Sequence, residues 1–121
     1  MKDNNAVAEK SKSFALRIIG LYKYLNQEKG ECVMSKQILR SGTSIGANIC
    51  EALRGYSKAD FYNKLTISLK EASETEYWLD LLHKSQYIDD AAFNSMNDDC
   101  QEIIRLLVAI TKTQKTNEQQ N

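Results

Sequence analysis

Apolar positions recur at alternating steps of three and four along most of the chain. The first series is Val7, Ser11, Phe14, Ile18, Leu21 and Leu25. That spacing keeps one side of an α-helix facing a core. Ala15, Ile19 and Tyr22 widen the stripe, and Gly30 supplies a stop, so a first helix is predicted over 7–28. A second series, Ile38, Gly42, Ile45, Ile49, Ala52 and Tyr56, predicts a helix over 36–55. Ser35 stands where an N-cap would accept from first-turn N–H groups, and Met34 and Leu39 stand where a hydrophobic staple would form. The third series is Phe61, Leu65, Ser68, Ala72, Thr75, Leu79 and Leu82, with Ser57 as N-cap and Tyr56 and Phe61 as its staple. It predicts a helix over 58–85. A second apolar line through Tyr62, Leu69 and Trp78 asks for more than one neighbour.

The fourth series, Phe93, Met96, Cys100, Ile103, Leu107 and Ile110, predicts a helix over 90–112 capped by Asp89. Ile104, Leu106 and Val108 make its end apolar nearly all round, so the bundle or another subunit should cover it. No alternating strand pattern of any length occurs. Four amphipathic segments with short connections predict an all-α fold, an antiparallel up-down-up-down four-helix bundle over residues 7–111. The polar ends, 1–6 and 113–121, are expected to be disordered.

The second helix has an unusual middle. Ser41-Gly-Thr-Ser-Ile-Gly-Ala-Asn48 carries two glycines among small polar residues. Each glycine costs a helix interior about 1 kcal/mol relative to alanine. Close approach of a neighbouring helix would offset that cost, at Gly42 for one neighbour and at Gly46 for a second. Ser44, Asn48 and Glu51 fall on one side of this helix, and Ser68, Glu71 and Thr75 on one side of the next. Consecutive antiparallel helices would bring the two trios together halfway along the bundle. Buried polar groups need partners, and a satisfied layer fixes register. The same six residues are alternatively contacts for a ligand or RNA.

Composition sharpens this picture. The 121 residues contain no proline, consistent with uninterrupted helices. Formal net charge is zero, but residues 1–70 hold 12 Lys/Arg against 6 Asp/Glu and residues 71–121 hold 4 against 10. Solvated helix faces would produce such a split. So would a head-to-tail assembly of copies, or local binding of RNA phosphates. Lys10, Lys12, Arg17, Lys23, Lys36, Arg40, Arg54, Lys58 and Lys64 supply the positive half. The apolar runs are too short for a membrane span, and no signal-peptide core follows the first residues, which predicts a cytoplasmic, bacterial-type protein.

The chemistry of catalysis is poorly represented. Three cysteines, Cys32, Cys50 and Cys100, form no C-x-x-C pair, and Cys50 and Cys100 read as small core residues. A di-metal carboxylate bundle needs two Glu-x-x-His pairs, whereas His83 is the one histidine. Gly42-x-x-x-Gly46 lacks the strand and the Lys-Ser/Thr of a phosphate loop. The reading is a non-enzymatic protein with no catalytic residues, metal or cofactor.

Gln37-x-x-Arg40-Ser-Gly-Thr-Ser-Ile-Gly-Ala-Asn-Ile-x-Glu-Ala52, then Ser57-Lys-Ala-Asp-Phe61, Lys64-Leu, Ser68-x-x-Lys-Glu-Ala72, Glu74-Thr and Tyr77-Trp-Leu79 resemble the four-helix-bundle proteins of the 23S rRNA intervening-sequence family. The match covers about half the chain. A related protein, the accessory variability determinant of diversity-generating retroelements, is a homopentamer that binds a reverse transcriptase and nucleic acid through a basic surface. The resemblance therefore implies a self-associating binding or scaffold protein, pentameric, associated with RNA or an RNA-handling partner. The alternative is a protein-only interaction module. It implies no catalytic residues. It gives weight to Ser44, Asn48, Glu51, Ser68 and Glu71 as motif positions, and to Arg40 and Lys58 as contacts. Lys36, Arg54 and Lys64 complete the expected contact set.

Overall fold

Four helices follow one another: α1 (Lys2–Lys29), α2 (Met34–Leu53), α3 (Lys58–Lys84) and α4 (Asp90–Gln120). The computed structural model describes residues 2–120, with side chains described for 4–113. Each helix packs on its neighbours in sequence, α4 closes back on α1, and among the described residues α1 does not pack on α3 nor α2 on α4. That is the square arrangement of an antiparallel up-down-up-down bundle. The stripes meet at its centre. Phe14, Ile18, Ile38, Ile45, Leu65, Leu79, Ile103 and Leu107 are all fully buried.

The helix bounds differ from the sequence expectation at both ends of the chain, where α1 begins at Lys2 and α4 runs to Gln120. Neither end carries a proline or glycine that would break a helix. The expected disorder of 1–6 and 113–121 falls largely outside the residues whose side chains are described.

Glycine at a positive φ ends α1: Gly30 has φ 62°, and the Glu31 N–H bonds the Leu25 carbonyl at 2.9 Å. The start of α2 corrects the sequence reading. Ser35 is not its cap. The carboxylate of Glu31 accepts from the N–H groups of Val33 (3.1 Å), Met34 (3.1 Å) and Ser35 (2.7 Å). A carboxylate reaching over the first turn satisfies several otherwise unpaired donors and meets the positive end of the helix dipole. Ser35 is instead buried, its hydroxyl accepting from Asn26 of α1 at 3.1 Å.

Ser57 caps α3 as expected, accepting from the Asp60 N–H at 3.1 Å. Asp89 caps α4, accepting from the Ala92 N–H at 2.8 Å. Between these helices Gln86 adopts φ 68°, a left-handed conformation for which glycine is the easier residue. Two further expectations fail. Tyr56 does not continue the α2 stripe or staple α3, because α2 ends at Leu53 and the ring is fully exposed. Cys50 is exposed rather than in the core; only Cys100 is buried.

Candidate functional site

The small residues of α2 meet α1. A Cβ built on Gly42 would lie 2.8 Å from Ile18 Cγ1 and 2.9 Å from Ile18 Cγ2. One built on Gly46 would lie 3.3 Å from Ser11 Oγ. Both glycines therefore admit the same neighbour, α1, and Gly46 does not serve a second helix. Ser11 is the matching small residue in the α1 stripe, buried with its hydroxyl bonded to the Ala8 carbonyl at 3.0 Å.

The opposite side of α2 faces α3, and here a polar layer exists with a different membership from the expected one. Ser68 donates to the Ile45 carbonyl at 2.8 Å, and Thr75 donates to Ser41 Oγ at 2.8 Å. Ser41, Ser68 and Thr75 are all buried. Ser41 stands in place of the expected α2 trio. Ser44 and Asn48 are half-buried and bond back into their own helix, to the carbonyls of Arg40 (2.6 Å) and Ser44 (2.9 Å). Glu51 is exposed and pairs with Lys64 at 3.0 Å. Among the described residues no buried side-chain N or O lacks a hydrogen-bond partner. The layer is complete as it stands, which makes it a register-fixing element of the bundle.

Around this layer runs a polar clamp. Arg40 bonds Glu71 at 3.1 Å and also Glu74, and the Trp78 indole N–H donates to Glu74 at 3.0 Å. The Trp78 bond, with that from Arg40, holds the Glu74 carboxyl below its usual range, and the Glu74 bond chiefly raises Arg40. On the next seam the Cys100 thiol donates to the Ala72 carbonyl at 3.5 Å, and burial pushes that thiol up to about 12.

The basic residues of the first half divide into two groups. Arg17 pairs with Asp99 of α4 at 2.6 Å and Lys10 with Glu102 at 2.7 Å. Part of the charge split is thus neutralised inside one chain, across the α1–α4 seam. Arg40 and Lys64 are likewise engaged in the α2–α3 seam. Of the expected contact set, Lys36, Arg54 and Lys58 stay exposed with no ion pair among the described residues. Lys12 and Lys23 share that state.

One open groove of about 1000 Å³ lies where the second half of α1 meets the α3–α4 connection. Its walls include Tyr24, Lys29, His83 and Tyr87. The His83 ring stacks on Phe93 at 4.2 Å, and its Nε2 lies 2.7 Å from Asp90 Oδ1. Sequence reasoning missed this groove, because its walls come from ends of elements that no periodicity relates. It contains no nucleophile paired with a base. Among the described residues no cluster of three or more His, Cys, Asp or Glu side chains is placed to hold a metal. No described helix is long and apolar enough to cross a membrane.

A family model described as 23S rRNA-intervening sequence protein matches residues 3–109. The chain belongs to that family. A crystal structure of a protein of unknown function from the S23 ribosomal protein family of Bacteroides thetaiotaomicron is similar at 58% identity and a TM-score of 0.90. The similarity covers 91% of this chain and 98% of that one. No curated protein matches the chain. The intervening-sequence signature thus acquires a physical content here. Gly42 and Gly46 set the α1–α2 approach, Ser41, Ser68 and Thr75 the buried layer, and Arg40, Glu71, Glu74 and Trp78 the clamp beside it. Most of the signature builds the bundle, and Lys58 is a signature residue left at the surface.

Proposed function

We propose that this family member is a non-enzymatic, self-associating four-helix scaffold of the bacterial cytoplasm that binds RNA or an RNA-handling partner. One observation carries the reading. The bundle pairs Lys10, Arg17, Arg40 and Lys64 internally, yet leaves Lys36, Arg54 and Lys58 exposed with no ion pair among the described residues. Unpaired surface cations are what a phosphate backbone needs, and each counterion released contributes to affinity. The family description, which links these proteins to 23S rRNA, supports the same direction. Self-association is supported by apolar side chains outside the core, including Leu16 at 64% exposure and Val108 at 43%. The resemblance to the pentameric retroelement protein favours five subunits.

The second reading, a protein-only module, is favoured by the same apolar groups. Sedimentation velocity of the protein alone and mixed with a structured 23S rRNA fragment at low salt separates the readings. A pentamer that co-sediments with the RNA supports the proposal. A monomer at micromolar concentration removes self-association, and a pentamer that leaves the RNA behind selects the protein-only module.

A further inference from the structure

The α2–α3 turn brings together a feature the bundle does not use. Arg54, Tyr56 and Lys58 alternate along it, and Leu53 beside them is 46% exposed. The Tyr56 side chain is fully exposed, at 102%. It makes no ring contact and no hydrogen bond among the described residues. Trp78, by contrast, is partly buried against the core and donates to Glu74 one turn away on α3.

Backbone hydrogen bonds hold the residues on either side of Tyr56. The Gly55 N–H bonds the Ala52 carbonyl at 3.1 Å, the Arg54 N–H bonds the Glu51 carbonyl at 3.1 Å, and the Phe61 N–H bonds the Ser57 carbonyl at 3.0 Å. Gly55 is closely enclosed: a Cβ there would lie 3.0 Å from Asp60 Oδ2 and 3.1 Å from the Ala52 carbonyl oxygen. Asp60, the acid nearest the turn in sequence, has a carboxylate oxygen beside Gly55. The other nearby acid, Glu51, is occupied by Lys64. Arg54 and Lys58, each two residues from Tyr56, are exposed and have no ion pair among the described residues.

An exposed aromatic face between two unpaired cations matches the chemistry of an unpaired nucleotide. Bases stack on such rings regardless of sequence, while the cations follow the sugar–phosphate backbone. We propose that the α2–α3 turn captures an unpaired base of RNA, with Tyr56 stacking on the base and Arg54 and Lys58 holding the adjacent phosphates. This rests on the RNA reading above and specifies its contact point. It predicts a preference for loops and single strands over paired stems.

The test uses the full chain and fluorescence anisotropy with a short labelled single-stranded RNA and the corresponding duplex. The wild type should bind the single strand more tightly. Tyr56→Ala should weaken single-strand binding by roughly 5- to 150-fold, the range of one lost stacking contact. Tyr56→Phe should stay within about twofold, because the ring face is kept. Arg54→Gln with Lys58→Gln should flatten the salt dependence, which Tyr56→Ala leaves alone. Helical content and sedimentation of each variant are measured alongside. Wild-type binding with equal affinity for the Tyr56→Ala variant overturns this inference and leaves the RNA reading standing. No wild-type binding to either RNA overturns both. A Tyr56→Ala variant that loses its oligomeric state marks the turn as a protein contact and also overturns the inference.

Discussion

Substituting Gly42 by alanine sets two known effects against each other. Helix propensity favours alanine by about 1 kcal/mol. Packing opposes it, because the new methyl would lie 2.8 Å, 2.9 Å and 3.1 Å from three carbons of Ile18. Two of those carbons are attached directly to the β-carbon, and the side chain is fully buried, so Ile18 cannot swing away. Overpacking of this kind typically costs about 1–3 kcal/mol. The net expectation for Gly42→Ala is a loss of about 1 kcal/mol, against a gain of up to about 1 kcal/mol for Gly20→Ala. A Cβ on Gly20 has nothing within 4 Å.

The decisive variant is Gly42→Ala in an Ile18→Ala background. Ile18→Ala alone should cost about 2–5 kcal/mol, but it removes the three carbons nearest the new methyl. There Gly42→Ala should become stabilising, giving a coupling of about 2 kcal/mol between the two positions. Urea denaturation followed by circular dichroism measures all four corners of the cycle. If Gly42→Ala stabilises the parent protein as Gly20→Ala does, close approach is not the reason for the glycine.

Other consequences are equally direct. Glu31→Ala leaves three N–H groups without their carboxylate and should lower stability by about 2 kcal/mol, read as a thermal midpoint several degrees lower. Gln86→Gly relieves the left-handed backbone at the α3 end and should raise stability by up to about 1 kcal/mol. A thiol reagent should titrate Cys32 and Cys50 in the native protein, with Cys100 reacting only on unfolding. Because the folded Cys100 thiol lies near 12 and the unfolded thiol near 9, its contribution is complete below pH 9 and falls as pH rises toward 12. Cys100→Ala should therefore flatten alkaline destabilisation in that window. Glu74 titrates below its unfolded value, so its contribution is present above the ordinary carboxylate range and is lost on acidification. Acid melts of Glu74→Gln should show less dependence on pH.

The helices were legible because steps of three and four survive any local irregularity, and Ser57, Asp89 and Gly30 act within a residue or two of a helix end. Glu31 was not legible as a cap because it stands outside the usual N-cap position and reaches its donors from upstream. The glycine contacts were half legible. Periodicity places Gly42 in the stripe, but the side on which Gly46 meets a neighbour depends on how α2 is rotated in the bundle. That rotation also decides which serine enters the polar layer: it turns Ser41 inward and leaves Ser44 and Glu51 toward solvent. Tyr56 fitted the stripe by number alone, since the helix stops three residues before it. The charge split was visible in the sequence, but Arg17–Asp99 and Lys10–Glu102 join residues more than 80 positions apart, beyond any local pattern.

Cations left unpaired by the bundle can serve RNA only if binding depends on salt. Anisotropy of a labelled 23S rRNA fragment, titrated with protein at stepped salt concentrations, reads that dependence. Binding at low salt should have a constant whose logarithm falls linearly with log salt, with a slope of about −2 to −3 if Lys36, Arg54 and Lys58 each displace one counterion. The triple Lys36→Gln, Arg54→Gln, Lys58→Gln variant should lose that slope while keeping its fold. Undetectable wild-type binding at low salt, or a slope unchanged in the triple variant, would contradict RNA binding through these cations.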